Sequence, residues 1–224
     1  MLTLKHKWNQ ELRDNPKFKI QSLVQKCSSV ESLSTDYLAE CLGIGLDRSY
    51  TIFEHSSASL AENLKASPLI LHATVSKILP ATLHVDYSLR QPVAILQDFS
   101  NTVMDEEGTL FPLQPFRTPK LLPEITLGEQ SEKRIRLALD VLQEVKRENQ
   151  LKRLKSINIS RAFSDRLSRQ EIILVFDNSF LRLSLGTWKA GLRQFFLIPK
   201  EQLSQKIVDM RVSNRAYISG ITGG

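Results

Sequence analysis

Residues 75–96, VSKILPATLHVDYSLRQPVAIL, constrain this chain more than any other stretch. Ahead of Leu79-Pro80-Ala81, the residues Ala73, Val75, Lys77 and Leu79 alternate with Thr74, Ser76 and Ile78. Beyond it, Leu83, Val85 and Tyr87 alternate with His84, Asp86 and Ser88. A period of two, bounded by turn residues, marks half-buried strands. The stretch therefore reads as two strands meeting at the proline, the second closed by Arg90-Gln91-Pro92-Val93-Ala94. Pro92 has no N–H to give to a ladder, which places it at a bulge or an edge.

The residues before this hairpin supply one strand and two helices. Phe18 to Cys27 reads as a strand, although Leu23 and Val24 break strict alternation. Ser34-Thr35-Asp36 is a helix-capping cluster, followed by Tyr37, Leu38, Cys41 and Leu42 at helical spacing and by Gly43 and Gly45 as terminators. Ser56 or Ser57 starts a second helix with Leu60, Ala61 and Leu64 on one face, and Pro68 bounds it. The order strand, helix, helix, strand, strand follows from these local signals alone. Leu38, Leu60, Leu64, Leu83 and Val85 are the expected core.

After the hairpin, residues 101–111 read as strand, turn, strand around Glu106-Glu107-Gly108. Pro112, Pro115, Pro119 and Pro123 make residues 112–123 an irregular connector, because proline fixes φ and removes a donor. Residues 131–149 form the clearest helix, with an apolar stripe of Ile135, Ala138, Leu139, Leu142 and Val145. Ile157, Ile159 and Ala162 suggest a strand. Residues 171–176 and 180–185 flank Asp177-Asn178-Ser179, a hairpin signal. Thr187 caps a helix whose Trp188, Leu192, Phe195 and Phe196 have the spacing of a core stripe. Residues 207–212 and 216–221 are the last two strands, joined by Ser213-Asn214-Arg215. Leu139, Leu142, Trp188, Leu192 and Phe195 are the expected core here.

The fold class is thus α+β. Residues 1–17 form a polar and basic leader whose Trp8 either packs on the domain or sits at a membrane headgroup region. Residues 18–97 form a β-α-α-β-β domain. Residues 98–224 form a mostly antiparallel β domain with two covering helices. The first sheet is expected to continue into the second through Val93 to Leu96.

Composition narrows the function classes. At 42% hydrophobic residues the chain can build a core. A net charge of +6 and a pI of 9.4 admit a nucleic-acid or anionic-membrane partner. The cations are spread over both halves, however, and only residues 146–155 are locally dense, as in a solvated helix end. Aromatics total 7%, so the interleaving of bases and aromatic residues that a single-stranded nucleic acid needs is missing. Two cysteines, Cys27 and Cys41, exclude a disulfide-dense scaffold. They are read as buried thiols acting as small apolar residues, with pairing in an oxidising compartment as the alternative. No run of about 18 apolar residues is present, as a membrane-spanning helix would require.

Catalytic patterns are missing from the sequence. His6, His55, His72 and His84 stand at no metal-ligand spacing with one another, with cysteine or with a carboxylate. There is no G-x-S-x-G, P-loop or dinucleotide fingerprint, and no cofactor is expected. Asp105-Glu106-Glu107 are neighbours in a tight turn and cannot flank one substrate as acid and base.

Three groups of residues in order give the chain a family resemblance. The hairpin carries Val75, Lys77, Pro80, Leu83, Val85, Arg90 and Pro92-Val93-Ala94. Asp105, Gly108 and Phe111, then Leu122-Pro123, follow it. Val208-Asp209-Met210-Arg211 precedes the last hairpin. This pattern resembles the FtsQ/DivIB family of bacterial cell-division proteins, over residues 18 to 221. The resemblance implies a POTRA domain at 18–97 and a β domain after it. It also implies a juxtamembrane role for residues 1–17, with a single membrane helix upstream of this sequence. The chain would then lie on the outer, periplasmic side of the cytoplasmic membrane at the division site. The implied function is a non-catalytic scaffold of the division machinery that helps control septal peptidoglycan synthesis. The alternative class is a basic α/β enzyme or nucleic-acid module; no sequence-specific nucleic-acid binding is expected.

The resemblance also implies FtsB- and FtsL-like single-span proteins as partners, the FtsB-like one bound through the last strands of the second domain, and other division proteins bound through the POTRA domain. Here the matching partner-binding positions are Val212, Ser213, Asn214, Arg215, Tyr217 and Ile218. An edge strand offers unpaired N–H and C=O groups to which a partner adds a strand. Asp209 and Arg211 are expected to pair structurally. Two positions depart from the family: Val212 stands where an aromatic often follows the arginine, and Arg215 where a glycine often sits. Tyr217, on the neighbouring strand, is left as the candidate aromatic anchor.

Overall fold

The computed structural model describes residues 15–45, 49–114, 121–213 and 215–220. These fall into two compact units, one running to Gln91 and taking in Gln114, the other from Pro92 onward. Trp8 and the rest of the leader before Asn15 lie outside the described residues.

In the first unit, β1 (Ser22–Cys27), α1 (Thr35–Leu42), α2 (Ser57–Lys65), β2 (Ile70–Ile78) and β3 (Thr82–Leu89) follow one another in the expected order. Ser34 and Ser56 cap the two helices by accepting from Tyr37 N and Ser59 N. Gly43 ends α1 at φ 73°, the left-handed conformation that glycine adopts without penalty. The sheet order is β1-β3-β2, with β1 parallel and β2 antiparallel to β3. β3 is therefore central, and its alternation puts Leu83, Val85, Tyr87 and Leu89 in the core with Leu38, Leu42, Leu60 and Leu64. The Tyr87 hydroxyl donates to Gln25 Oε1 at 2.8 Å and accepts from Leu33 N at 2.9 Å. Burial pushes its phenol pKa up to about 12. Cys27 and Cys41 are free and partly buried.

The second unit holds a nine-stranded sheet and three helices. In chain order these are β4 (Ala94–Leu96), β5 (Thr102–Met104), β6 (Leu110–Pro112), β7 (Glu124–Thr126), α3 (Glu132–Arg147) and β8 (Leu154–Asn158). Then come β9 (Ile172–Phe176), β10 (Ser179–Leu183), α4 (Trp188–Phe196), α5 (Lys200–Leu203), β11 (Lys206–Met210) and β12 (Tyr217–Gly220). The sheet order is β12-β11-β10-β9-β8-β7-β4-β5-β6. Five neighbouring pairs are antiparallel; β4–β7, β7–β8 and β10–β11 are parallel. Parallel neighbours need a crossover. α3 makes the one from β7 to β8, and α4 with α5 makes the one from β10 to β11.

The core lies between the helices and one sheet face. Val141, Leu142, Val145, Trp188, Leu192, Phe195 and Leu203 meet Ile125, Ile157, Leu174, Phe176, Leu181, Leu183, Val208 and Met210 there. Phe176 stacks on Phe195 at 5.4 Å and meets Phe196 edge-on at 5.2 Å.

Three expectations change. Residues 93–96 do not extend the first sheet: β4 pairs with β5 and β7 in the second. The buried arc of α3 keeps Ala138, Leu142 and Val145 of the expected stripe, takes in Arg134, Leu137, Val141 and Glu144 as well, and leaves Ile135 and Leu139 half-buried at its flank. The proline-rich connector also gives way at both ends. Pro112 closes β6, an edge strand on which a missing donor is tolerated. Pro123 accepts from Ile95 N just before β7, a strand too short to show alternation. Pro115 and Pro119 lie outside the described residues. Among the described residues no helix is long and apolar enough to cross a membrane.

Candidate partner-binding edge

The end of the second sheet is built from β11 and β12. They pair antiparallel, with Val208 opposite Ile218 and Asp209 opposite Tyr217. Val208 is fully buried, so Ile218 shares the helix-covered face, while Tyr217 shares the opposite one with Asp209. β12 has β11 as its one neighbour in the sheet, and all four of its residues are exposed. Tyr217 and Ile218 are 56% and 46% exposed, high values for large apolar side chains on a strand. The opposite edge differs: β6 ends in Pro112, which cannot donate to an added strand.

Of the six expected site residues, Tyr217 and Ile218 stand on β12 itself. Val212, Ser213 and Arg215 form the exposed turn between β11 and β12, where Arg215 N donates to Val212 O. Strand β11 stops at Met210, two residues before its expected end. Asn214 and Ile221 lie outside the described residues.

Charged side chains brace this end of the sheet. Asp209 and Arg211 form the expected pair, through Nε and Nη2 at 3.0 and 2.7 Å. Burial alone would raise the Asp209 carboxyl. Hydrogen bonds from the Arg211 side chain and backbone outweigh it and hold the carboxyl below its ordinary value. Hydrogen bonding to Asp209 in turn raises the Arg211 guanidinium. Glu171, just before β9, and Arg182 on β10 extend the network: Arg182 donates to Glu171 Oε2 from Nε and Nη2 at 3.0 and 2.5 Å, and its Nη1 lies 3.6 Å from Asp209. Sequence reasoning missed Glu171 and Arg182 as members of the site. They join Asp209 and Arg211 in one network only through the sheet order β9-β10-β11, which no local pattern announces.

Among the described residues no group of three histidine, cysteine or acidic side chains is placed to hold a metal ion. The arrangement offers a terminal strand with an exposed aromatic, beside arginines held by carboxylates.

No curated protein matches the chain. The family model for the C-terminal region of the cell division protein FtsQ/DivIB matches residues 94–211, just over half the chain, from the first strand of the second unit to the arginine that follows β11. The chain belongs to the FtsQ/DivIB family of cell-division proteins.

Proposed function

We propose that this chain is a non-catalytic scaffold of the division machinery that receives a strand from an FtsB-like partner on the outer side of β12. The observation that carries this reading is the sheet order. β12 is terminal, free of proline and wholly exposed, and the other terminal strand ends in proline. Main-chain bonds would supply affinity, and the alternation of Tyr217 and Ile218 between the two faces would fix the partner's register. FtsL-like proteins are proposed to join through the same assembly, which helps control septal peptidoglycan synthesis.

The β-α-α-β-β order of the first unit supports reading residues 18–97 as a POTRA domain that recruits other division proteins. On this reading residues 1–17 are the juxtamembrane segment, residues 98–224 the β domain, and the working location is the periplasmic side of the cytoplasmic membrane.

The test is capture of the native FtsB-like protein by purified Tyr217→Ala and Ile218→Pro variants. Proline at 218 removes a backbone donor and obstructs strand addition. Both variants are expected to lose the partner while keeping the circular dichroism of the parent. Undiminished capture by both folded variants would move the interface elsewhere.

A further inference from the structure

Glu171 lies two strands away from β11 in the sheet, yet it is the most enclosed member of the network that reaches the binding edge. Its side chain is 5% exposed. Oε2 takes both hydrogen bonds from Arg182, Oε1 accepts from Arg161 Nη1 at 3.3 Å, and Arg211 Nη1 stands 3.8 Å from Oε2. A carboxylate this far out of water is tolerated only when cations and donors surround it. Arg182 and Arg211 both also reach Asp209, which stands opposite Tyr217 in the ladder. The network thus runs across β9, β10 and β11 and ends on the residue from which the final turn departs.

We propose that Glu171 is the positioning residue of the partner-binding edge, holding Arg182 and Arg211 so that the final turn and β12 stand in one place. The proposal rests on the reading of β12 as that edge. The charge balance shows why one residue suffices. Three guanidiniums, from Arg161, Arg182 and Arg211, share the two carboxylates of Glu171 and Asp209. With Glu171 neutral, Arg182 and Arg211 are left with Asp209 alone between them, and their mutual repulsion is no longer offset from the Glu171 side. Arg211 begins the exposed turn, so its displacement carries β12 with it. β12 has no second strand neighbour to resist the displacement. Glu171 touches no partner in this scheme and acts only through the arginines.

Segment-resolved amide hydrogen exchange on the whole chain, without partner, tests the proposal directly. Glu171→Gln keeps the side chain's shape and removes its charge. Exchange in residues 206–220 is expected to accelerate about tenfold, the weight of one lost hydrogen bond between charged groups, with residues 94–104 unchanged. Glu144→Gln serves as control, because it neutralises an equally buried carboxylate on α3 and should not single out residues 206–220. Should Glu171→Gln fail to fold, Arg182→Gln removes the same link from its outer side and is read in the same way. Unchanged or uniformly raised exchange overturns the proposal. Affinity for the FtsB-like partner, measured in parallel, should fall through faster dissociation. If the unaltered chain binds no such partner, the reading of the edge fails, while the exchange pattern still decides whether Glu171 positions it.

Discussion

Arg193 on α4 places both Nε and Nη2 against Glu144 Oε1 on α3, at 2.7 and 2.6 Å, and the Glu144 side chain is only 2% exposed. Arg147 takes the second oxygen at 3.2 Å. The two longer helices of the second unit are thus tied by a charged contact. Glu144→Gln should lower the stability of this unit by about 1.5–3 kcal/mol, the range for hydrogen bonds to charged groups. Denaturant unfolding followed by Trp188 fluorescence, in a Trp8→Phe background, reads this out. An unchanged midpoint would show that the contact carries no net stability.

Acid should loosen the same unit. Hydrogen bonds from Arg193 hold the Glu144 carboxyl below its ordinary 4.5 against the opposing push of burial, and Asp209 likewise lies below its ordinary 3.8. Lowered folded-state values mean that the unfolded chain binds more protons in the acid range, so stability rises with pH there. The contribution is complete above the ordinary values and is lost as pH falls through the folded ones. The Trp188-reported midpoint should therefore decline below about pH 4.5, and Asp209→Asn should flatten part of that slope. A midpoint independent of pH from neutrality down to pH 3, a range fixed by the ordinary carboxylate values, would contradict this.

Leu142 and Leu139 are neighbours on α3 with different fates. Leu142 is 6% exposed within the core, whereas Leu139 is half-buried at its flank; both border a small cavity of about 160 Å³ with Val93 and Gln143. Leu142→Ala should cost about 2–5 kcal/mol, the usual range for a closed site, and Leu139→Ala clearly less. Equal losses in paired thermal melts would mean that the helix is rotated from the orientation described.

In the first unit, Tyr87→Phe removes the acceptor of Leu33 N. The amide is then left buried without a partner, at a cost of about 1–3 kcal/mol. Chemical denaturation of a fragment spanning residues 15–91 measures it, provided that the parent fragment unfolds cooperatively. A neutral substitution would place the Leu33 amide in water.

Local signals carried much of this fold. Ser34, Ser56 and Gly43 bounded helices where capping chemistry required, and the alternation from Leu83 to Tyr87 named the buried face of β3. Ala138, Leu142 and Val145 of the α3 stripe are buried as expected, and its edge at Ile135 and Leu139 differs for a physical reason. Arg134 and Glu144 occupy the buried arc, Arg134 by donating from one nitrogen to the carbonyls of Leu127, Ile159 and Ser160. Periodicity counts such residues as solvent-facing. Strands β4 and β7 are three residues long, too short for a period of two to declare itself, so the sheet to which residues 93–96 belong was not legible. At the candidate edge the sequence supplied Tyr217 and Ile218 from a family pattern, but Glu171 and Arg182 enter only through pairing across strands.

The parallel pairing of β10 with β11 has a consequence for the order in which the chain is made. A chain synthesised from its N-terminus completes β10 at Leu183 but cannot supply β11 until α4 and α5 have passed. During that interval the outer side of β10, with Phe180, Leu181 and Leu183, is an unfilled template for any strand that arrives. A fragment ending at Gln205 freezes the interval and should self-associate, as open apolar strand edges do. Sedimentation of that fragment as a monodisperse monomer would show that the helices shield β10 unaided. Strands β11 and β12 would then have no part in guarding the growing sheet from its own copies.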